Sequence, residues 1–494
     1  MIATDPRLAE PTHGDTPQLY AKRVPVFPRK IDGPFRRFKW AVMVACLAVY
    51  WVTPWLRWNR GAFAPDQAVL VDLAHRRFYM FAIEIWPHEF YFVAGLLIMA
   101  GIGLFLVTSV VGRAWCGYAC PQTVWTDLYQ HIDRLIDGDR NAQLRLHNAP
   151  WTGSKLARRL LKWSVWLVVA FMTGGAWIFY FADAPTLQRQ FWTGVADPVA
   201  YITVGLLTLT TFVLGGFMRE QVCIYMCPWP RIQSAMLDEK SLLVTYKHWR
   251  GEPRGSLKTA HRHLETGLAA VGDCIDCHQC QAVCPTGIDI RDGAQIGCIT
   301  CGLCIDACDK AMAQIGRPRG LIDYCTLEDS AREARGQADT PVLKTILRPR
   351  TLIYFGVWAA IGMGLLFMLG TRTRLTLSVA KDRNPDYVQL SGGAVRDGFT
   401  VKLRNMEDRP RRVTVATAGI SGARIFTDDM DDHAARGALA MVVPADTTLR
   451  LRLYLLGPKG AKPGAVLFQL KATDREGGQD QVRSTFSTPE GNGQ

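Results

Sequence analysis

Beyond Cys325 the sequence contains no cysteine, although the chain holds fourteen in its 494 residues. A region without thiols cannot be a disulfide-stapled scaffold and needs no reducing compartment, whereas a thiol-rich one does. Two compartments are therefore indicated for one chain. Charge is also sparse, at 20% of residues against 49% apolar, a balance that points to membrane spans. No aromatic-and-basic module accompanies the net charge of +13, so the basic excess reads as membrane surface and not as nucleic-acid binding. No small-residue cleavage site follows the first apolar run, which excludes a signal peptide. Nothing resembles the paired histidines of a transmembrane haem site. Of the scattered histidines, only His261 and His263 lie close together, with His88 at a span end and His131 in a loop.

Five runs are long enough to cross a bilayer as helices of roughly 20 residues: 40–56, 90–111, 163–181, 199–217 and 352–369. Basic residues crowd the stretch before the first run (Lys22, Arg23, Arg29, Lys30, Arg36, Arg37, Lys39) and the loop 112–162, whereas loop 182–198 carries only Arg189. The positive-inside rule then places the N-terminus, loop 112–162 and segment 218–351 in the cytoplasm, and the tail outside. Arg372 and Arg374, just past the fifth run, are a local exception. Glu84 and Glu89 flank the second run and are expected to be exposed. The resulting division is 1–38, a cytoplasmic segment; 39–218, a four-span core; 219–350, a cytoplasmic cysteine-rich region; 351–371, the fifth span; and 372–494, an outer domain.

Eight cysteines form two runs of one spacing. Cys274, Cys277, Cys280 and Cys284 precede Pro285, and Cys298, Cys301, Cys304 and Cys308 precede Asp309. This C-x2-C-x2-C-x3-C spacing suits two [4Fe-4S] clusters, with three ligands from one run and the fourth passed to the neighbour. Paired C-x2-C zinc sites do not explain two overlapping runs of four. Asp273, Asp276, Asp306 and Asp309 surround the runs as acidic neighbours. By similarity to bacterial two-cluster ferredoxins, Cys274, Cys277, Cys280 and Cys308 would hold one cluster, and Cys284, Cys298, Cys301 and Cys304 the other. Cys46 and Cys325 read as unliganded structural thiols.

A second pattern is duplicated in the membrane half. Cys116 and Cys120 lie in C-x-Y-x-C-P, and so do Cys223 and Cys227, each copy just past a span. On a helix, i and i+4 would stack both sulfurs on one face, while the following proline favours a turn. A pseudo-two-fold axis could bring the four thiols together. Soft thiolates would suit Cu(I), zinc or an iron–sulfur cluster; the bland alternative is four small hydrophobic side chains at helix ends.

The tail alternates apolar and polar residues at 375–379, 401–403, 413–415, 449–455 and 466–470, separated by turn residues. Short alternating strands at this spacing predict an antiparallel, immunoglobulin-like sandwich without its disulfide. His433, Met430 and Met441 are a weak outer copper set within an acidic loop. The whole chain thus reads as a multi-domain membrane protein: an all-α core of about five spans, an α+β ferredoxin-like domain with two clusters, and an all-β sandwich.

Three segments carry a family resemblance: Gly112-Arg113-Ala114-Trp115-Cys116-Gly117-Tyr118-Ala119-Cys120-Pro121, continuing to Trp125; Glu220-Gln221-Val222-Cys223-Ile224-Tyr225-Met226-Cys227-Pro228, continuing to Arg231; and Cys284-Pro285-Thr286-Gly287-Ile288-Asp289-Ile290-Arg291-Asp292-Gly293. With the order of spans, clusters and sandwich, they resemble the CcoG/FixG/RdxA family of cytochrome oxidase accessory proteins. NapH-type membrane ferredoxins are more distant kin. The resemblance implies a protein of the bacterial inner membrane that reduces Cu(II) to Cu(I) for cbb3-type cytochrome c oxidase, with Cys116, Cys120, Cys223 and Cys227 at the copper site. Implied partners are a cytoplasmic electron donor, copper-handling proteins and oxidase subunits or assembly factors. A homodimer is compatible with it. A quinol-linked electron relay and a redox-sensing assembly scaffold are the alternatives.

Overall fold

The computed structural model describes residues 25–62, 64–256, 258–259, 271–338, 340–474 and 477–489. Residues 1–24 and the pair His261 and His263 lie outside that set. The chain forms two compact units. One comprises Met1–Trp51, Ala100–Ile178 and Ala196–Trp358, and the other Val52–Met99, Phe179–Val195 and Ala359–Gln494.

Among the described residues, five helices are long and apolar enough to cross a membrane: Pro34–Trp55, Pro87–Val111, Gly153–Ile178, Pro198–Met218 and Pro349–Thr371. They are the five expected, but the third begins ten residues before the predicted run. Its first turns carry Lys155, Arg159 and Lys162, whose charge masks a helix that the backbone continues without a break. Lys155 and Lys162 are nonetheless buried. Lys155 Nζ donates to the carbonyls of His147 and Ala149, which end the helix Arg140–Asn148, and Lys162 pairs with Asp137 at 2.5 Å.

In the first unit, glycines set how closely the spans approach. A side chain at Gly174 would lie 2.8 Å from the carbonyl of Val204, and one at Gly216 would lie 2.7 Å from the ring of Trp166. Small residues permit such contacts where lipid offers no hydrophobic drive. The helix Pro121–Asp137 follows the second span and buries Asp127, Asp133 and Asp137. Each has a cation: Arg36 reaches Asp127 at 2.7 Å, Arg219 reaches Asp133 at 2.5 Å, and Lys162 reaches Asp137. The cysteine-rich region completes this unit with the antiparallel pair Leu243–Tyr246 and Ile322–Cys325 and the helices Gln279–Ala282 and Leu303–Gln314. Cys325 is buried at the end of its strand.

In the second unit a three-stranded antiparallel sheet occupies Val69–Asp72, Arg77–Met80 and Ile83–Ile85. Strands of three or four residues are too short for alternation to show, so the sequence reads as plain loop. The expected exposure of Glu84 and Glu89 is wrong. Glu89 is 2% exposed, accepts the N–H of Trp86 at 3.1 Å and pairs with Arg372 at 3.4 Å. Arg372 also donates to the Glu84 carbonyl, which accounts for a cation just past the fifth span. Glu84 pairs with Arg77 at 3.1 Å, but burial and neighbouring Asp446 push its carboxyl up to about 7.

The tail is the all-β domain expected. One sheet orders Arg424–Thr427, Thr447–Gly457, Val395–Asn405 and Leu375–Lys381, with Val388–Gln389 on the third of these; the other orders Ala438–Val443, Arg411–Ala418, Gly464–Ala472 and Gln479–Phe486. Strict alternation along Val395–Asn405 sends Phe399, Val401 and Leu403 inward, each with no exposure. Phe399 meets Phe468 of the opposite sheet with ring centroids 4.9 Å apart. Apolar burial of this kind, at about 25 cal/mol per Å², replaces the missing disulfide. His433 is 98% exposed and so is held by no pocket.

Candidate metal centres

The two ferredoxin-like runs fold alike. Asp276 and His278 flank Cys277 with φ of 56° and 53°, and Thr300 and Gly302 flank Cys301 with φ of 55° and 72°. Left-handed residues on either side of a cysteine turn successive backbone N–H groups to one side, a concavity suited to anionic sulfur. One such group is already engaged: Thr300 N–H donates to Cys298 Sγ at 3.4 Å. Three of these four residues are not glycine, so the loops hold local strain that their neighbours must sustain. Arg291 does so for the first loop. Its side chain is 3% exposed and reaches Asp276 at 2.5 Å, Asp289 at 2.6 Å and His278 Nδ1 at 2.7 Å.

The thiols fall into three sets. Cys308 is influenced by Cys280, Cys274 and Cys277. Cys304 is influenced by Cys301, Cys298 and Cys284 and, more weakly, by Cys280. Cys223 neighbours Cys120, Cys116 and Cys227. Among the described residues, no three His, Cys, Asp or Glu side chains converge closely enough to grip one metal ion. A cubane asks for the opposite, four sulfurs held apart around a larger body. A pocket lined by Cys280, Cys284, Cys298, Cys301 and Cys304 lies among these thiols. Burial pushes the Cys280, Cys298 and Cys308 thiols up to about 12. Thiols so disposed ionise only when a metal takes the place of the proton. Donor type, spacing and pocket all fit [4Fe-4S] clusters.

In the duplicated motif the two sulfurs do not share one helix face. Cys116 lies in the short helix Ala114–Tyr118, whereas Cys120 is extended (φ −59°, ψ 130°) and caps the helix Pro121–Asp137. Cys227 is likewise extended (φ −79°, ψ 123°) before Pro228. Proline forbids its predecessor the helical conformation, and this overrides the i, i+4 spacing. The chain reaches Cys223 through two π-helical stretches, Phe212–Met218 and Val222–Met226, which widen the helix and re-aim its side chains. Between them Arg219 has φ 41°, held by Asp133 and by the ring of Trp166 at 5.1 Å.

The first copy of the motif is built against the second cluster loop. Cys116 shares a buried apolar patch with Val283, Ile299, Cys301 and Leu303. Tyr118 Oη donates to the Cys301 carbonyl at 2.9 Å, and Arg113 N–H donates to Thr300 Oγ1 at 3.3 Å. Gly117 faces the same loop, where any side chain would stand 2.6 Å from the Ile299 carbonyl. The duplication is not symmetrical: Tyr118 is buried, whereas Tyr225 is 58% exposed. Gly117 and Tyr118 were not legible as loop contacts, since the repeat shows their spacing but not which copy is used. Behind Cys116, its Sγ–H donates to Gln233 Oε1 at 3.0 Å, and Gln233 Nε2 donates to Thr108 Oγ1 at 3.1 Å. Burial raises Cys116 to about 11 against the opposing charge of Arg113, and raises Cys223 to about 12. A second pocket joins Cys223 to Pro285, Thr286 and Ile299 of the cluster loops and is lined also by Lys39, Asp127 and Glu220.

The chain matches three family models: a 4Fe-4S dicluster domain over residues 218–327, a 4Fe-4S binding domain over 92–137, and the immunoglobulin-like fold at the C-terminus of FixG over 365–489. It is similar to protein RdxA of Cereibacter sphaeroides, 54% identical over 90% of this chain and 92% of the relative. It is also similar to nitrogen fixation protein FixG of Rhizobium meliloti, 52% identical over 95% and 94%, and to protein RdxB of Cereibacter sphaeroides, 50% identical over 97% and 98%. Among solved structures, a FixG-related protein from Vibrio parahaemolyticus aligns with 24% of this chain and 99% of its own, with 18% identity and a TM-score of 0.20. Identity of this order along nearly the full length of both chains, together with paired cluster-forming cysteine runs, places the protein in the FixG/RdxA family of iron–sulfur electron-transfer proteins.

Proposed function

We propose that the protein is a membrane-bound cupric reductase that supplies Cu(I) for assembly of a cbb3-type cytochrome c oxidase. Cys274, Cys277, Cys280 and Cys308 would hold one [4Fe-4S] cluster and Cys284, Cys298, Cys301 and Cys304 the other; when bound, they supply single-electron transfer. Cu(II) is the substrate at Cys116, Cys120, Cys223 and Cys227. One electron converts it to Cu(I), with no bond to hydrogen made or broken. The observation that carries this reading is the shared patch of Cys116 and Cys301, which leaves no layer of protein between the thiol set and a cluster loop. Thiolates are soft donors and favour the Cu(I) product. The basic residues around loop 112–162 support a cytoplasmic position for the clusters and a periplasmic one for the sandwich, in the bacterial inner membrane. The donor is then cytoplasmic, and the outer domain faces oxidase subunits and copper-handling proteins.

Replacing Cys116 and Cys227 with serine tests the reading. Cu(II) reduction, followed with a Cu(I)-specific chelator, should be lost while most [4Fe-4S] absorbance remains. Full activity in that variant would refute the copper site. A second reading, a third cluster at the same four thiols, is favoured by the 4Fe-4S match over residues 92–137, which include Cys116 and Cys120. Iron content separates them, at about eight atoms per chain for two cubanes and about twelve for three.

A further inference from the structure

Arg113 is a buried cation without an anion. It is 3% exposed, and among the described residues its guanidinium donates to the Ile296 carbonyl and makes no ion pair with a carboxylate, while its Nε has no partner. Other buried arginines are differently placed: Arg36, Arg219, Arg291, Arg348 and Arg411 each meet a carboxylate. Burying an unpaired charge is costly enough that such groups normally have a counter-ion. What faces Arg113 is sulfur. Its charge acts on Cys116 on one side and on Cys298 on the other. Its backbone N–H is bonded to Thr300 Oγ1 and its guanidinium to the Ile296 carbonyl, so both ends of the residue are held by the segment that carries Cys298.

We infer that Arg113 is the counter-cation shared by the four-cysteine site and the cluster bound through Cys298, placed between them to favour negative charge on both. Metal–thiolate centres are anionic and become more so on reduction, so a fixed cation beside one raises its potential. At the other centre carboxylates accompany the cation: Asp289 and Arg291 both act on Cys280 and Asp309 acts on Cys308, while Arg291 is itself paired with Asp289 and Asp276. Arg113 therefore makes the centre nearer the four-cysteine site the easier to reduce, and gives electron flow its direction. The inference rests on the iron–sulfur reading of the eight cysteines but not on copper as substrate. A failed copper assay with a shifted potential would leave it standing.

The test is an EPR-monitored redox titration of the anaerobically purified full-length protein and its Arg113→Gln and Arg113→Lys variants. In Arg113→Gln, the reduced-to-oxidised ratio of the centre bound through Cys298 should be about tenfold lower at the wild-type midpoint, a shift of about 59 mV for one electron. The other centre should move far less; repeating the titration in a Cys277→Ser background identifies which centre responds. Arg113→Lys keeps the charge and should stay within about threefold of wild type. Loss of the centre from the glutamine variant alone would support the counter-ion role, since charge is what separates the two substitutions. An unchanged potential, equal shifts in both centres, equal shifts in both variants, or loss of iron from both variants would overturn it.

Discussion

Gly117→Ala isolates the contact between the membrane motif and the cluster loop. The added Cβ would stand 2.6 Å from the Ile299 carbonyl oxygen and 3.2 Å from both Cys301 Cα and the Thr300 carbonyl, where ordinary contact begins at 3.4 Å. All three neighbours are backbone and cannot rotate aside, so the loop must retreat by about 0.8 Å, the shortfall at the closest atom. Forcing one carbon into a filled interior costs about 1–3 kcal/mol, or roughly 2–4 °C in melting temperature for each kcal/mol. Helix propensity acts in the opposite direction, because alanine is better than glycine in a helix by about 1 kcal/mol. Destabilisation therefore cannot be ascribed to the short helix itself. A misplacement near 1 Å between reacting groups can lower a rate by up to about 100-fold. The assays are thermal unfolding in detergent and initial rate of Cu(II) reduction, with Gly175→Ala as the control, since nothing lies within 4 Å of that position. If Gly117→Ala matches the control in both, the close approach does not exist in solution and the route through it fails.

Tyr118→Phe removes only the hydroxyl that donates to the Cys301 carbonyl. It should cost about 0.5–1.5 kcal/mol in chemical unfolding and raise amide exchange in 299–302. Asp137→Asn breaks the buried pair with Lys162; leaving a lone buried ammonium should cost about 3–5 kcal/mol, read as a large fall in melting temperature. Glu84 provides a pH signature. Its native pKa of about 7 lies above the ordinary value of 4.5, so the folded state holds a proton that the unfolded state has released. That contribution is fully present below about 4.5, is lost as pH rises to about 7, and is absent above it. The melting temperature of Glu84→Gln, measured across this range, should fall less with rising pH than that of the parent; parallel curves would contradict the assignment.

Periodicity made the spans and the sandwich legible because both repeat one simple rule over many residues. Cysteine spacing made the cluster region legible because four ligands around a cubane leave little freedom in the chain. What escaped the sequence arises from interactions between distant residues. Glu89 looks like a surface carboxylate until Arg372, nearly 300 positions later, is beside it. The turns holding Lys155 and Lys162 look too charged to be buried until Asp137 and the His147 and Ala149 carbonyls meet them. Identical copies of C-x-Y-x-C-P give no sign that Tyr118 is enclosed and Tyr225 is not. The π-helical turns before Cys223 have no composition of their own, since one extra residue per turn is decided by packing and not by residue type.

The wall of the second cluster loop is supplied by residues 113–118, which begin where the second apolar helix ends. A change that shifts where that helix ends along the chain would therefore move this wall relative to the loop at 299–301.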